Sequence, residues 1–121
     1  MFCDLDEKAL AHYATIGTEA NYPRGVTLFT EGSRSASVFV VCTGQVKLFC
    51  TSKEGKTLIL KIAMPGDVLG LGAVISGTSY EVTGETVEPT QIKHIQRDDF
   101  LVFLDKFEEG SLHAARALSE D

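Results

Sequence analysis

Histidines, cysteines and a few glycine-bearing turns are the places where this chain could do chemistry. His12, His94 and His113 are far apart and show no His-x-His spacing, so no two can be paired as ligands of a metal held in the mouth of a β-barrel. Cys3, Cys42 and Cys50 are odd in number and irregular in spacing, which is neither a disulfide framework nor a CxxC metal set. They read as reduced, half-buried thiols. Gly55-Lys56-Thr57 ends like a phosphate-cradling P-loop, but Cys50 stands where that loop needs its first glycine, and the tripeptide falls in a hairpin turn. Gly70-Leu71-Gly72 opens like a dinucleotide fingerprint, yet Ile75 occupies the third glycine position and no βαβ pattern surrounds it. No Ser, Cys or Thr has a recognisable base beside it. The expectation is a protein that is not an enzyme and holds no metal.

Charge narrows the partners. The 121 residues carry a net charge of −6, with six acids balanced by six bases up to residue 60 and eleven acids against five bases after it. Such a chain lacks the basic footprint that displaces counterions from nucleic acid, so it is not expected to bind DNA by itself. Between Ile62 and Ile92 there is no Lys or Arg, against Asp67, Glu81, Glu85 and Glu88. The N-terminus MFCDLDEKAL is acidic where a signal peptide is basic and then apolar, and uncharged runs such as 68–80 are short and glycine-rich. These features predict a cytoplasmic protein with no membrane partner.

The elements that must position any site follow from glycine spacing. Gly44, Gly55, Gly66 and Gly77 recur every eleven residues, each in a turn-like group, and strand-forming runs lie between them. Alternation places Val46, Leu48 and Cys50 on one face of a strand over 45–50, and Leu58, Leu60 and Ile62 on one face of a strand over 57–63. Further strands are predicted over 26–30, 37–41, 81–87 and 91–95, with helices only at the two ends. Asp4 and Glu7 form a capping-box pattern ahead of Leu10 and Tyr13, and Asp98 or Asp99 caps a helix carrying Phe100, Leu101, Phe103, Leu104 and Phe107. A last helix begins at Ser111 with a stripe of Leu112, Ala115 and Leu118, and ends on Glu120 and Asp121 without a terminator, as if cut short. Turns every 8 to 12 residues between short strands indicate a mainly β roll, sandwich or barrel. One domain of this size buries roughly two thirds of its unfolded surface.

The order and spacing of several landmarks are more specific than any one of them. Pro23-Arg24-Gly25 is followed by Thr30-Glu31-Gly32, then by Val38-Phe39-Val40-Val41 running into Thr43-Gly44-Gln45-Val46-Lys47. Glu54-Gly55-Lys56, the run from Ile59 to Ile62, Pro65-Gly66-Asp67-Val68-Leu69-Gly70 and Arg97-Asp98-Asp99-Phe100 complete the series. From Tyr22 to about Leu118 the chain resembles the sensor domain of Crp/Fnr-type bacterial transcription regulators. The resemblance implies a cyclic-nucleotide-binding-like β-roll (a double-stranded β-helix or jelly roll) over 1–110 with helices at both ends, and the start of a dimerisation helix over 111–121. It also implies a homodimer in the full-length protein, a small-molecule effector, and a C-terminal DNA-binding domain beyond Asp121.

The phosphate cassette departs from the cyclic-nucleotide binders of that family, in which Gly-Glu is followed about ten residues later by Arg-Ser/Thr-Ala, holding ribose and phosphate. Here Gly70 is present, Leu71 fills the glutamate position, and Tyr80-Glu81-Val82 replaces Arg-Ser/Thr-Ala. A phosphate beside Glu81 with no cation would be repelled, so cyclic AMP is disfavoured as effector. The candidate pocket is instead apolar and aromatic, with Leu48, Leu60, Leu71, Ala73, Tyr80 and Val82 as lining and Gly70, Gly72 and Glu81 in the cassette. Lys61 is the nearest cation, and alternation turns it outward, opposite Leu60 and Ile62. No cofactor is implied: an iron–sulfur sensor needs four cysteines, and the cassette holds no His or Cys for haem. An effector-free roll used as a dimerisation or interaction scaffold is the alternative.

Overall fold

The computed structural model describes residue 11 and residues 13–106. The start of the first predicted helix, the helix from Ser111 with Leu112, Ala115 and Leu118, and the residues Cys3, His12, Phe107 and His113 lie outside them. Among the described residues eight strands form two antiparallel sheets. They are β1 (Thr18–Tyr22), β2 (Thr27–Phe29), β3 (Ser37–Thr43), β4 (Val46–Thr51), β5 (Thr57–Ala63), β6 (Val68–Leu69), β7 (Thr83–Thr86) and β8 (Thr90–Gln96). One sheet runs β1-β8-β3-β6 and the other β2-β7-β4-β5. Two helices interrupt or follow them, α1 (Leu71–Ser76) and α2 (Arg97–Lys106).

β3 is the strand on which both cores rest. Val38 and Val40 face outward onto Leu71 and Val74 of α1, Ile95 of β8, and Phe100 and Phe103 of α2. Phe39 and Val41 face inward, where they meet Leu69, Ile92, and from the other sheet Phe29, Val46 and Ala63. All four consecutive side chains are buried, which is why the run is apolar throughout and its alternation cannot be read from residue types. On the outer face Lys93 of β8 is also buried; its Nζ donates to the Tyr13 carbonyl at 2.5 Å and lies 4.0 Å from the Tyr13 ring centroid. Burial pushes the Lys93 ammonium below its ordinary range.

The regular glycines behave as turns. Gly44, Gly55, Gly66 and Gly77 all take positive φ, at 89°, 83°, 95° and 71°. At Gly44, between β3 and β4, a Cβ would also lie 2.4 Å from Thr90 Oγ1 and 2.6 Å from the Pro89 carbonyl oxygen. Cys42 and Cys50 are half-buried and not in a disulfide.

Four features differ from the sequence reading. β6, two residues paired with Phe39 and Val40 of β3, was not expected. β1 was not expected, because Thr-Glu-Ala-Asn-Tyr offers only Ala20 and Tyr22 as apolar residues; its pairing with β8 from Thr18–His94 to Tyr22–Thr90 supplies what propensity lacks. α1 corrects the expectation of helices only at the ends. It is a short helix between Gly70 and Gly77, both left-handed, and its length and glycine flanks read locally as turns. β5 carries the opposite phase at its end: Leu48 pairs with Lys61 and Phe49 with Ile59, so Leu60 is an extra, bulged residue. Ala63, opposite Val46, is buried, whereas Ile62 pairs with Lys47 and is exposed. A bulge shifts the alternation by one residue, and here it moves Lys61 to the side of Leu48.

Replacing Gly44 by alanine forces a left-handed backbone on a Cβ that overlaps Thr90 and Pro89. The expected loss is at least about 2 kcal/mol, measured by denaturant unfolding, because non-glycine residues in that region cost on the order of 1–3 kcal/mol before any overlap.

Candidate functional site

The interior of the roll is built around the segment from Gly70 to Val82. Gly70 turns left-handed (φ 80°) to start α1, and after Gly77 the chain runs back to the β2–β3 loop. There the Gly32 N–H donates to the Tyr80 carbonyl at 2.8 Å and the Tyr80 N–H donates to the Ser33 carbonyl at 3.0 Å. With its backbone fixed in this way, Tyr80 sends its ring inward. The ring lies 4.7 Å from Phe29 and 6.3 Å from Phe39, centroid to centroid, and Phe29 stacks on Phe39 at 5.0 Å. Its hydroxyl donates to the Ser37 carbonyl at 2.5 Å and accepts from the Ser37 N–H at 3.2 Å. Burial raises the phenol above its ordinary range, the Ser37 hydrogen bond acting weakly against it, so the group is a neutral phenol at physiological pH. A Cβ on residue 70 would stand 2.8 Å from Tyr80 Cε1. The Tyr80 ring position therefore requires a glycine at residue 70.

The candidate lining residues divide. Leu48, Ala73, Tyr80 and Val82 belong to the inner core, and Gly70 lies beside the Tyr80 ring. Leu71 does not join them, since it packs with Val74 in the outer core. Two helical steps separate Leu71 from Ala73 by about 200°, so the two side chains face opposite cores. Gly72 is half-buried, Glu81 is exposed, and Leu60 and Lys61 are exposed on β5. Lys61 shares the side of Leu48 rather than turning away from it, as the bulge dictates.

Other contributors were not legible in the sequence. Phe29 and Phe39 gave no parity signal, one on a three-residue strand and the other in the all-apolar run of β3. His94 lies on the inner side of β8, hydrogen-bonded through Nε2 to the Tyr22 hydroxyl at 2.5 Å, with its ring 4.8 Å from Phe39 in an edge-on arrangement. Burial lowers its pKa below the ordinary histidine range. β5 exposes Leu58, Ile59, Leu60, Ile62 and Met64 immediately after it, from 39% to 59%, a quantity of apolar surface that an isolated edge strand rarely leaves to water. Among the described residues no group of three or more His, Cys, Asp or Glu could hold a metal ion, and no helix is long and apolar enough to cross a membrane.

Two antiparallel sheets with a short helix set between their strands define the class of β-roll domains. More particularly, residues 19–107 match the cyclic nucleotide-binding domain family, and the chain belongs to it. It is 26% identical over 83 residues to the "Cyclic AMP receptor protein" of Thermus thermophilus, covering 69% of this chain and 38% of that protein. It is 31% identical over 72 residues to the "Transcriptional activator protein FnrA" of Stutzerimonas stutzeri, covering 60% of this chain and 29% of that protein. The crystal structure of the Thermus thermophilus catabolite activator protein superposes with a TM-score of 0.85 at 23% identity, over 98% of this chain and 55% of that one. The chain thus spans less than half the length of the two sequence relatives. It is homologous to the CRP, FNR and FixK regulators, and its fold is the mainly β roll expected from the sequence.

Two outcomes follow from this geometry. Tyr80→Phe removes both hydrogen bonds to Ser37 while keeping the ring, and should lower unfolding stability by about 1–3 kcal/mol, read in urea. The folded state disfavours protonated His94, whereas the unfolded chain takes up that proton near pH 6.5; stability present above that pH is lost as pH falls below it. The melting temperature of the wild type should therefore drop more steeply below about pH 6.5 than that of His94→Gln.

Proposed function

We propose that the chain is the effector-sensing domain of a CRP/FNR-type transcription regulator, with an interior site that does not capture a cyclic phosphate through an arginine. The observation that carries this reading is Tyr80. It stands at the position where the resemblance places the cassette arginine, and its side chain is buried against Phe29 and Phe39 and bonded to Ser37 rather than presenting a charge. Leu71 at the glutamate position packs in the outer core, which removes the second nucleotide contact. An effector of small, apolar or aromatic character matches the remaining lining of Leu48, Ala73, Tyr80 and Val82.

In this reading the longer protein acts as a cytoplasmic homodimer and reads DNA through a domain outside this chain. The exposed apolar residues of β5 support the dimer, because such a strand needs a covering surface, and the stripe of Leu112, Ala115 and Leu118 has the matching chemistry. Effector entry would displace the Tyr80 ring, loosen its bonds to β3 and shift α1 and α2, which share the outer core. The dimer seam would then change and with it the spacing of the DNA readers. The effector-free scaffold is not favoured beside relatives named as a receptor and an activator.

Calorimetric titration with cyclic AMP and cyclic GMP tests the cassette. No saturable heat at micromolar nucleotide is the expected result. Micromolar binding that disappears on changing Tyr80 or Glu81 would overturn it.

A further inference from the structure

A second concave site lies on the other side of the same loop, and it shares no residue with the interior lining. It is a cleft of about 330 Å³ between the β2–β3 loop, the turn after α1 and the start of α2, at the lower end of the ~300–1,000 Å³ typical of small-molecule sites. Its walls are Gly32, Arg34 and Ser35 on one side and Gly77, Thr78 and Ser79 on the other, closed by Arg97. The lining holds two cations and no acid, in a chain whose net charge is −6. The stretch from Ile62 to Ile92 has no Lys or Arg of its own; the fold brings Arg34 and Arg97 to it from both sides.

The Arg97 side chain and the Arg34 backbone are held in place. The Arg97 N–H donates to the Ala36 carbonyl and its side-chain Nε to the Val74 carbonyl, both at 2.9 Å. One edge of the guanidinium is thereby committed, and a terminal Nη remains beside Gly77, 3.3 Å from where a Cβ would stand. Arg34 is tied through its backbone, by a β-bridge to Ser79 and by its carbonyl, which accepts from the Ala36 N–H at 2.9 Å. Among the described residues neither arginine is in an ion pair and the hydroxyls of Thr78 and Ser79 have no protein partner. Of the acids next to the lining residues along the chain, Glu31 is engaged elsewhere, its Oε1 accepting from the Thr51 N–H at 2.9 Å, and Glu81, Asp98 and Asp99 are exposed and outside the lining.

We propose that this cleft binds the phosphoryl group of a small phosphorylated molecule. Arginine forks match the oxygens of a phosphate, and hydroxyls of Ser and Thr supply further donors. None of its lining residues belongs to the inner core. It is tested by following backbone amides in ¹⁵N–¹H spectra of the chain at constant ionic strength, with inorganic phosphate, glycerol 3-phosphate and acetate as probes. Saturable shifts are expected at Gly32, Gly77, Thr78 and Ser79 with both phosphates, tighter for glycerol 3-phosphate if an organic ester is the natural form, while the interior reporters Val41 and Ile92 stay still. Arg34→Gln, at an exposed residue, and Arg97→Lys should each weaken binding about tenfold. If Arg97→Lys perturbs the fold, Arg34→Gln alone decides. No saturable shift at these amides, shifts unchanged in Arg34→Gln, or an equal response to acetate would overturn the assignment.

Discussion

The pair of hydrogen bonds between the Tyr80 hydroxyl and the backbone of Ser37 holds the cassette loop against the strand on which both cores rest. Around that bond the geometry is tightly determined: the ring needs a glycine at position 70, and its backbone needs the β2–β3 loop on the opposite side. A buried phenol satisfied at both lone pair and proton is stable where an arginine would require a counter-anion. Tyr80 fills the interior with an aromatic side chain packed on Phe29.

The two cores divide the labour of the chain. The inner core, between the sheets, contains the candidate effector site and the Tyr22–His94–Phe39 group. The outer core joins β3 and β8 to α1 and α2. Val38 and Phe39 are adjacent, so β3 alone separates the inner core from the helices. Leu71 and Ala73 express the same connection within α1, one facing each core.

Charge is segregated along the chain and redistributed in space. The cassette region carries only acids in sequence, yet its turn after α1 meets Arg34 and Arg97, each contributed by a distant segment. The interior remains uncharged apart from a histidine that burial keeps neutral. In the proposed reading, anions and apolar molecules would bind on opposite sides of one loop, which is anchored by the Tyr80 backbone.

Much of this was legible from residue types alone. The eleven-residue glycine rhythm marked the turns because left-handed backbone strongly favours glycine, and the landmark series marked the family. The alternation of Val46, Leu48 and Cys50 announced a strand with one buried face. Other features depended on long-range pairing. β1 exists through its partnership with β8, and α1 is too short to announce itself. The bulge at Leu60 inverted the faces of β5, and the continuous apolar run of β3 concealed which of its residues look inward. Local sequence reports what a residue costs in a given backbone or solvent, and so it determined turns and class. Which side chain fills the roll, and which distant arginines border its loop, are decided by long-range contacts, such as Tyr80 with Ser37 and Arg97 with Val74, that only the tertiary structure can bring together.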